Sequence, residues 1–128
     1  MVLVDTSIWL DYLRKGNPHL VRLLDANLVS VHPWVVGELG CGNLEDRASV
    51  LGLLRALPQL PVATEDEMAH FLERHPLAGK GIGYLDMHLL AAALLGDARL
   101  WVMERHLGET ALELGVLYEP VSLRRFRR

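Results

Sequence analysis

Met1-Val2-Leu3-Val4-Asp5-Thr6-Ser7-Ile8-Trp9 opens the chain, and the rest of the sequence is best read outward from it. Met1 to Val4 is an unbroken apolar run of β-prone residues, short enough for a strand and too uniform for a half-solvated one. Asp5-Thr6-Ser7 supplies side-chain oxygens that can cap a helix, and Ile8, Trp9, Leu10 and Leu13 then recur at helical spacing. The reading is a buried strand, a tight turn and a helix.

The same grammar repeats downstream. Asn17-Pro18 starts a second helix through Leu20, Leu23 and Leu24. Leu28 to Val31 reads as a second buried strand, and His32-Pro33 leads into a third helix from Trp34 to about Cys41. Leu44, Ala48, Leu51 and Leu54 form a helical stripe closed by Pro58. Pro61-Val62-Ala63 is a weak strand candidate, and Thr64 caps the acid-rich turn Glu65-Asp66-Glu67. The glycines of Leu77 to Gly83 predict a loop. Tyr84 to Leu95 is a helix apolar almost all round, Arg99 to Met103 a strand, Glu104 to Leu114 a helix and Val116 to Tyr118 a last strand. Continuously apolar strands alternating with helices predict an α/β fold: a three-layer sandwich around a central parallel sheet of four or five strands.

Length and composition agree with one domain spanning 1–128. The chain has 128 residues, 51% hydrophobic and 23% charged, enough for a full core without disulfides or a structural metal. Net charge is −3, which excludes a broadly basic nucleic-acid coat. The basic tail at 124–128 hides a stronger asymmetry: without Arg124, Arg125, Arg127 and Arg128, nine basic residues face sixteen acidic ones, so the body is acidic. Cys41 is the single cysteine, which excludes an internal disulfide or paired-thiol metal knuckle and predicts an inert buried thiol. The first residues lack a basic secretory leader, and the longest apolar run, Leu89 to Leu95, falls far short of the ~20 residues a membrane helix needs. A soluble cytoplasmic protein is expected.

Four acids stand where a parallel sheet places its ligands, beyond the carboxyl ends of the strands, or in apolar surroundings that disfavour charge. Asp5 follows the first strand and Glu104 follows Arg99 to Met103. Asp86 interrupts Leu85 and Met87 near the start of the apolar helix, and Glu38 lies within Val35-Val36-Gly37-Glu38-Leu39. Each has a plain structural alternative: Asp5, Asp86 and Glu104 as caps or partners of a helix dipole, Glu38 as a solvated helix residue. If they converge, two carboxylates 4 Å apart repel by about 4 kcal/mol at an effective dielectric of 20, and a hard divalent cation, Mg²⁺ or Mn²⁺, is the natural occupant. A cation so held activates water and stabilises the charge of phosphodiester cleavage.

Other groups offer less. The six histidines lack zinc-site spacing, and the Gly79 to Gly83 loop lacks the spacing and trailing hydroxyl of a phosphate-binding loop. Trp9, Trp34 and Trp101 are packing residues or base-stacking ones. Arg14-Lys15 either complements a helix terminus or contacts RNA phosphates. A phospho-acceptor receiver domain has similar length and alternation, but calls for paired acids after strand one and a lysine after the last strand, which this chain lacks.

Four segments in order, MVLVDTSIW at 1–9, HPWVVGELGCG at 32–42, GKGIGYLDMHLLAAALL at 79–95 and LWVMERHL at 100–107, resemble the PIN-domain ribonucleases, specifically the VapC toxins of toxin–antitoxin pairs. The resemblance implies a PIN-like fold and a metal-dependent endoribonuclease, with Asp5, Glu38, Asp86 and Glu104 as catalytic and metal-binding residues for Mg²⁺ or Mn²⁺ and Thr6 or Ser7 supporting them. It also implies an RNA substrate, a homodimer, and a VapB-type antitoxin that binds operator DNA; the stripe Leu44, Ala48, Leu51 and Leu54 is a plausible contact for the antitoxin tail. One motif departs: the family's Thr-x-Asp stands here as Val102-Met103-Glu104, one methylene longer and without the hydroxyl. That departure leaves a catalytically impaired RNA- or protein-binding module as the alternative.

Overall fold

The computed structural model describes residues 1–120; the basic tail singled out above lies outside them. Three short parallel strands make the sheet: β1 (Val2–Val4), β2 (Val29–Ser30) and β3 (Arg99–Trp101), in the order β2-β1-β3. Val2 faces Val29 on one side and Arg99 on the other. Every residue of β1 is buried, as expected of a central strand covered on both faces. Helices α1 (Thr6–Lys15) and α2 (Pro18–Asp25) connect β1 to β2. Helices α3 (Pro33–Gly40), α4 (Arg47–Ala56), α5 (Glu65–Arg74) and α6 (Tyr84–Leu95) connect β2 to β3, and α7 (Arg105–Glu113) follows.

That order carries the argument from fold to site. From β1 the chain steps to one side for β2, then crosses back over β1 to lay down β3. Right-handed crossovers running in opposite directions put their helices on opposite faces of the sheet and open a crevice at the carboxyl ends of β1 and β3, where the direction reverses.

The sheet is narrower than the sequence suggested. Pro61-Val62-Ala63 forms no strand; the chain touches β2's edge only as a single bridge between Val31 and Gln59. Val116 to Tyr118 is likewise reduced to one bridge, Leu100 with Leu117. Prolines explain both stops. Val31 N–H donates to Pro58 O and Leu60 N–H to Val31 O, each at 2.9 Å, and the next donor toward Val62 in that ladder falls on Pro33, which has no N–H. Tyr118 N–H donates to Leu100 O at 2.8 Å, and the next donor falls on Pro120.

Two further expectations are corrected. Helix α4 begins at Arg47 rather than Leu44, because Asp46 before it adopts a left-handed backbone, φ 49°, that a continuous helix excludes. Leu51 and Leu54 are buried core residues, while Ala48 is exposed, so the stripe splits between core and surface. Cys41 is exposed at the end of α3 rather than buried. Helix α6, by contrast, buries Met87 to Ala93 without a break, and Trp9 and Trp101 are packed into the core. Thr64 and Glu67 close a reciprocal capping box at α5. Among the described residues no helix is long and apolar enough to cross a membrane.

Candidate active site

Asp5 stands at the N-terminus of α1, directly beyond β1, and its N–H donates to Trp101 O at 3.1 Å, so the backbone that carries it extends the sheet ladder. Its carboxylate makes no capping bond to the helix. Oδ2 instead accepts a hydrogen bond from Ser7 Oγ at 2.8 Å, which fixes its rotamer. Burial pushes the Asp5 carboxyl above its ordinary range; the Ser7 hydroxyl and the nearby Thr6 and Ser7 amides soften that push, and the charge of Glu38 adds to it.

Asp86 lies in the first turn of α6. Its carboxyl is pushed up to about 6, first by burial and then by the charges of Asp5, Glu38 and Glu104. Asp86 therefore senses the charges of the other three acids named from sequence. Their dispositions differ. Glu38 projects from the exposed side of α3. With Thr6, Leu10, Arg14 and Leu44 it lines an open cleft of about 820 Å³. Thr6 Oγ1 is buried there without a hydrogen-bond partner.

Glu104 is occupied otherwise. Its Oε1 accepts from His106 N at 3.0 Å and its Oε2 from Leu107 N at 2.8 Å, capping α7, and His106 Nδ1 lies 2.9 Å from Oε1. These bonds hold its carboxyl down at about 2 although it is exposed. A second shallow cleft, about 560 Å³, runs between Ser7 and Glu104 past Arg14 and Lys15. Lys15 is paired with Asp11 at 3.4 Å. Arg14 is an exposed cation bordering both clefts.

A hard divalent cation suits this donor set chemically. The donors are carboxylate oxygens, the Asp86 charge is opposed by its neighbours, and an unpartnered hydroxyl is buried in the cleft wall. The side chains are nonetheless splayed: among the described residues no three His, Cys, Asp or Glu side chains converge into a ready metal cage.

Sequence reasoning singles out Trp34 as a packing or base-stacking residue but does not reveal the aromatic group to which it belongs. His32 caps α3, its Nδ1 accepting from Trp34 N at 3.0 Å. The Trp34 indole and the His88 imidazole from α6 lie with centroids 4.1 Å apart, and Tyr84 meets His88 edge-on at 4.7 Å. Zinc-site spacing, the test applied to the histidines, does not reveal this packing. The available signal was that His32-Pro33-Trp34 and Tyr84 to His88 both open helices beside a candidate acid.

The chain matches no family model. It is 44% identical over 124 residues to Ribonuclease VapC32 from each of two strains of Mycobacterium tuberculosis, an alignment that takes in 95% of this chain and 100% of the relative. Identity at that level over nearly the whole of both chains shows that the chain belongs to the VapC ribonuclease family.

Proposed function

We propose that the protein is a metal-dependent endoribonuclease, the toxin of a toxin–antitoxin pair, that hydrolyses RNA phosphodiester bonds at the carboxyl edge of its sheet. The observation that carries this reading is Asp86, a carboxyl raised to about 6 by burial and by three other acids. A fold that gathers like charge without neutralising it is consistent with a cationic ligand. The ribonuclease named among the relatives points the same way, and the receiver-domain alternative falls with the family assignment.

Asp5, Asp86 and Glu38 are the proposed ligands of Mg²⁺ or Mn²⁺, with Glu104 contributing charge from its cap position. When bound, the cation supplies an activated water and neutralises charge on the phosphodiester. The chain's own contributions are distinct. Ser7 holds the Asp5 carboxylate in place, Thr6 keeps a buried, unpartnered hydroxyl in the cleft wall, and Arg14 offers the RNA backbone a cation beside the cleft. A VapB-type antitoxin, a homodimer, contact with operator DNA through the antitoxin alone and a cytoplasmic location complete the reading. Leu44, at the cleft, and exposed Ala48 remain the parts of the stripe open to an antitoxin tail.

The test is incubation of purified protein with tRNA, rRNA and mRNA in Mg²⁺, in Mn²⁺ and in EDTA, with the ends mapped. Cleavage that needs the cation and disappears in Asp5→Asn is expected. Cleavage that persists in EDTA, or in Asp5→Asn at the wild-type rate, overturns the site.

A further inference from the structure

Trp34 and Tyr84 are the exposed members of the indole, phenol and phenyl rings among the described residues, at 37% and 53% of their full exposure. The other tryptophans, Trp9 at 1% and Trp101 at 7%, show how this fold treats such rings when packing is their role. The exposed pair is held rigidly. His88 lies beneath the Trp34 indole with ring planes 42° apart, and Tyr84 stands at 88° against the same imidazole. His32 closes the group edge-on to Trp34, at 6.0 Å and 87°. Both histidines are buried, so the outer rings rest on a fixed base.

The location matters as much as the rigidity. Trp34 precedes Glu38 by one helical turn on the same face of α3. Tyr84 opens α6 in the turn that carries Asp86. Trp34 therefore shares a helix face with Glu38, while Tyr84 lies two residues before Asp86, and both rings lie outside the two clefts that Arg14 borders.

We propose that the Trp34 indole is a shelf on which one unpaired nucleobase of single-stranded RNA stacks, with the Tyr84 ring, 6.2 Å away and tilted 54° to it, flanking that base, so that the neighbouring phosphodiester approaches the acidic site from the Glu38 face of α3. This rests on the ribonuclease reading and adds a substrate feature to it. Every base has a π-face, so the shelf tolerates any sequence. It discriminates against duplex, whose bases are already stacked on one another and inaccessible. A protein partner fits the observations less well, because two rings backed by imidazoles, on helices that also carry acids, make a small surface well below the area of a stable protein interface.

The experiment has a binding arm and a cleavage arm, both on the full chain. Because Trp9 and Trp101 are buried, indole fluorescence titrated in EDTA with a mixed-sequence single-stranded RNA reports chiefly on Trp34. Quenching by the single strand and much weaker quenching by the matching duplex are expected. In Mg²⁺, Trp34→Ala and Tyr84→Ala raise KM for the single strand roughly five- to hundredfold with a smaller effect on kcat, while Trp34→Phe restores most of the loss. An abasic sugar beside the cut lowers wild-type kcat/KM to the Trp34→Ala level and leaves the variant unchanged. Should Trp34→Ala not fold, Tyr84→Ala, at a more exposed position, gives the same comparison. Wild-type KM in both alanine variants, including the case in which they lose only binding to a protein partner, overturns the shelf. Quenching without cleavage of any RNA keeps the shelf and overturns hydrolysis; cleavage with equal quenching by strand and duplex does the reverse.

Discussion

Asp86 and Glu104 are acids at the same edge of one sheet, and the fold treats them in opposite ways. Asp86 is half-buried, is not the residue that caps α6 and is opposed by three other carboxylates, which leaves its carboxyl near 6. Glu104 is exposed, gives its two oxygens to the first turn of α7 and is held near 2. Proximity to the site is thus not what distinguishes the proposed ligand Asp86 from the helix cap Glu104. The distinction lies in whether the protein itself satisfies the charge. Glu104 is satisfied by backbone donors, whereas the charge of Asp86 is opposed by burial and by its neighbours, as suits the cation ligand proposed for it.

The most severe way to break that contrast is Asp86→Asn. The amide is a neutral and weaker ligand for a hard cation, so cleavage should fall by about 100-fold or more. The same change removes a repelled charge, so in EDTA the variant should melt higher than wild type and gain less from added Mn²⁺. A variant that cuts at the wild-type rate, or that melts lower in EDTA, would show Asp86 to be a structural residue. Activity assays paired with thermal melts decide it.

Glu104→Ala should do the converse. Losing the cap on α7 lowers the melting temperature by about a few degrees, while cleavage falls by less than about tenfold, because Glu104 reaches the site mainly through its charge. Glu104→Asp keeps a good capping residue and should recover the stability. If Glu104→Ala instead abolishes cleavage at unchanged stability, the carboxylate leaves its cap in the working enzyme, and the contrast with Asp86 is one of the resting state alone.

Much of this was legible because it is local. Met1 to Val4 could be read as a buried strand from composition, and Asp5 as the residue beyond it, since both follow from short-range pattern. Whether Asp5 and Glu104 are caps or ligands was not legible, because both roles use the same residue types at the same positions; only the hydrogen bonds separate them, Ser7 for Asp5 and the α7 amides for Glu104. The sheet edges mislead because Val62 and Leu117 have strand-like neighbours, while Pro33 and Pro120 remove the ladder donors that strand extension needs. The Trp34, Tyr84 and His88 cluster joins segments remote in sequence, and no periodicity within either segment announces it. Cys41 was placed inside because free cysteines usually are; here it falls one residue past the end of α3, where the chain turns outward.

The finest test of the comparison uses pH, since the two carboxyls are displaced in opposite directions. Asp86 has a folded pKa raised to about 6, so its favourable contribution is present below the unfolded value, roughly 3.9, and is lost as pH rises through about 6. Without metal, the melting advantage of Asp86→Asn over wild type should therefore be a few degrees at pH 7 and shrink toward zero by about pH 4.5, as the wild-type carboxyl takes up its proton. Glu104 has a folded pKa lowered to about 2. Its contribution is present above the unfolded value, roughly 4.3, and is lost only as pH falls through about 2. The deficit of Glu104→Ala should accordingly persist from pH 7 down to about 4.5. Melts of the three proteins across that range in EDTA should show one difference that closes and one that holds. Two differences that close together would mean that the acids titrate as one coupled group, and that the division between a satisfied and an unsatisfied carboxylate is wrong.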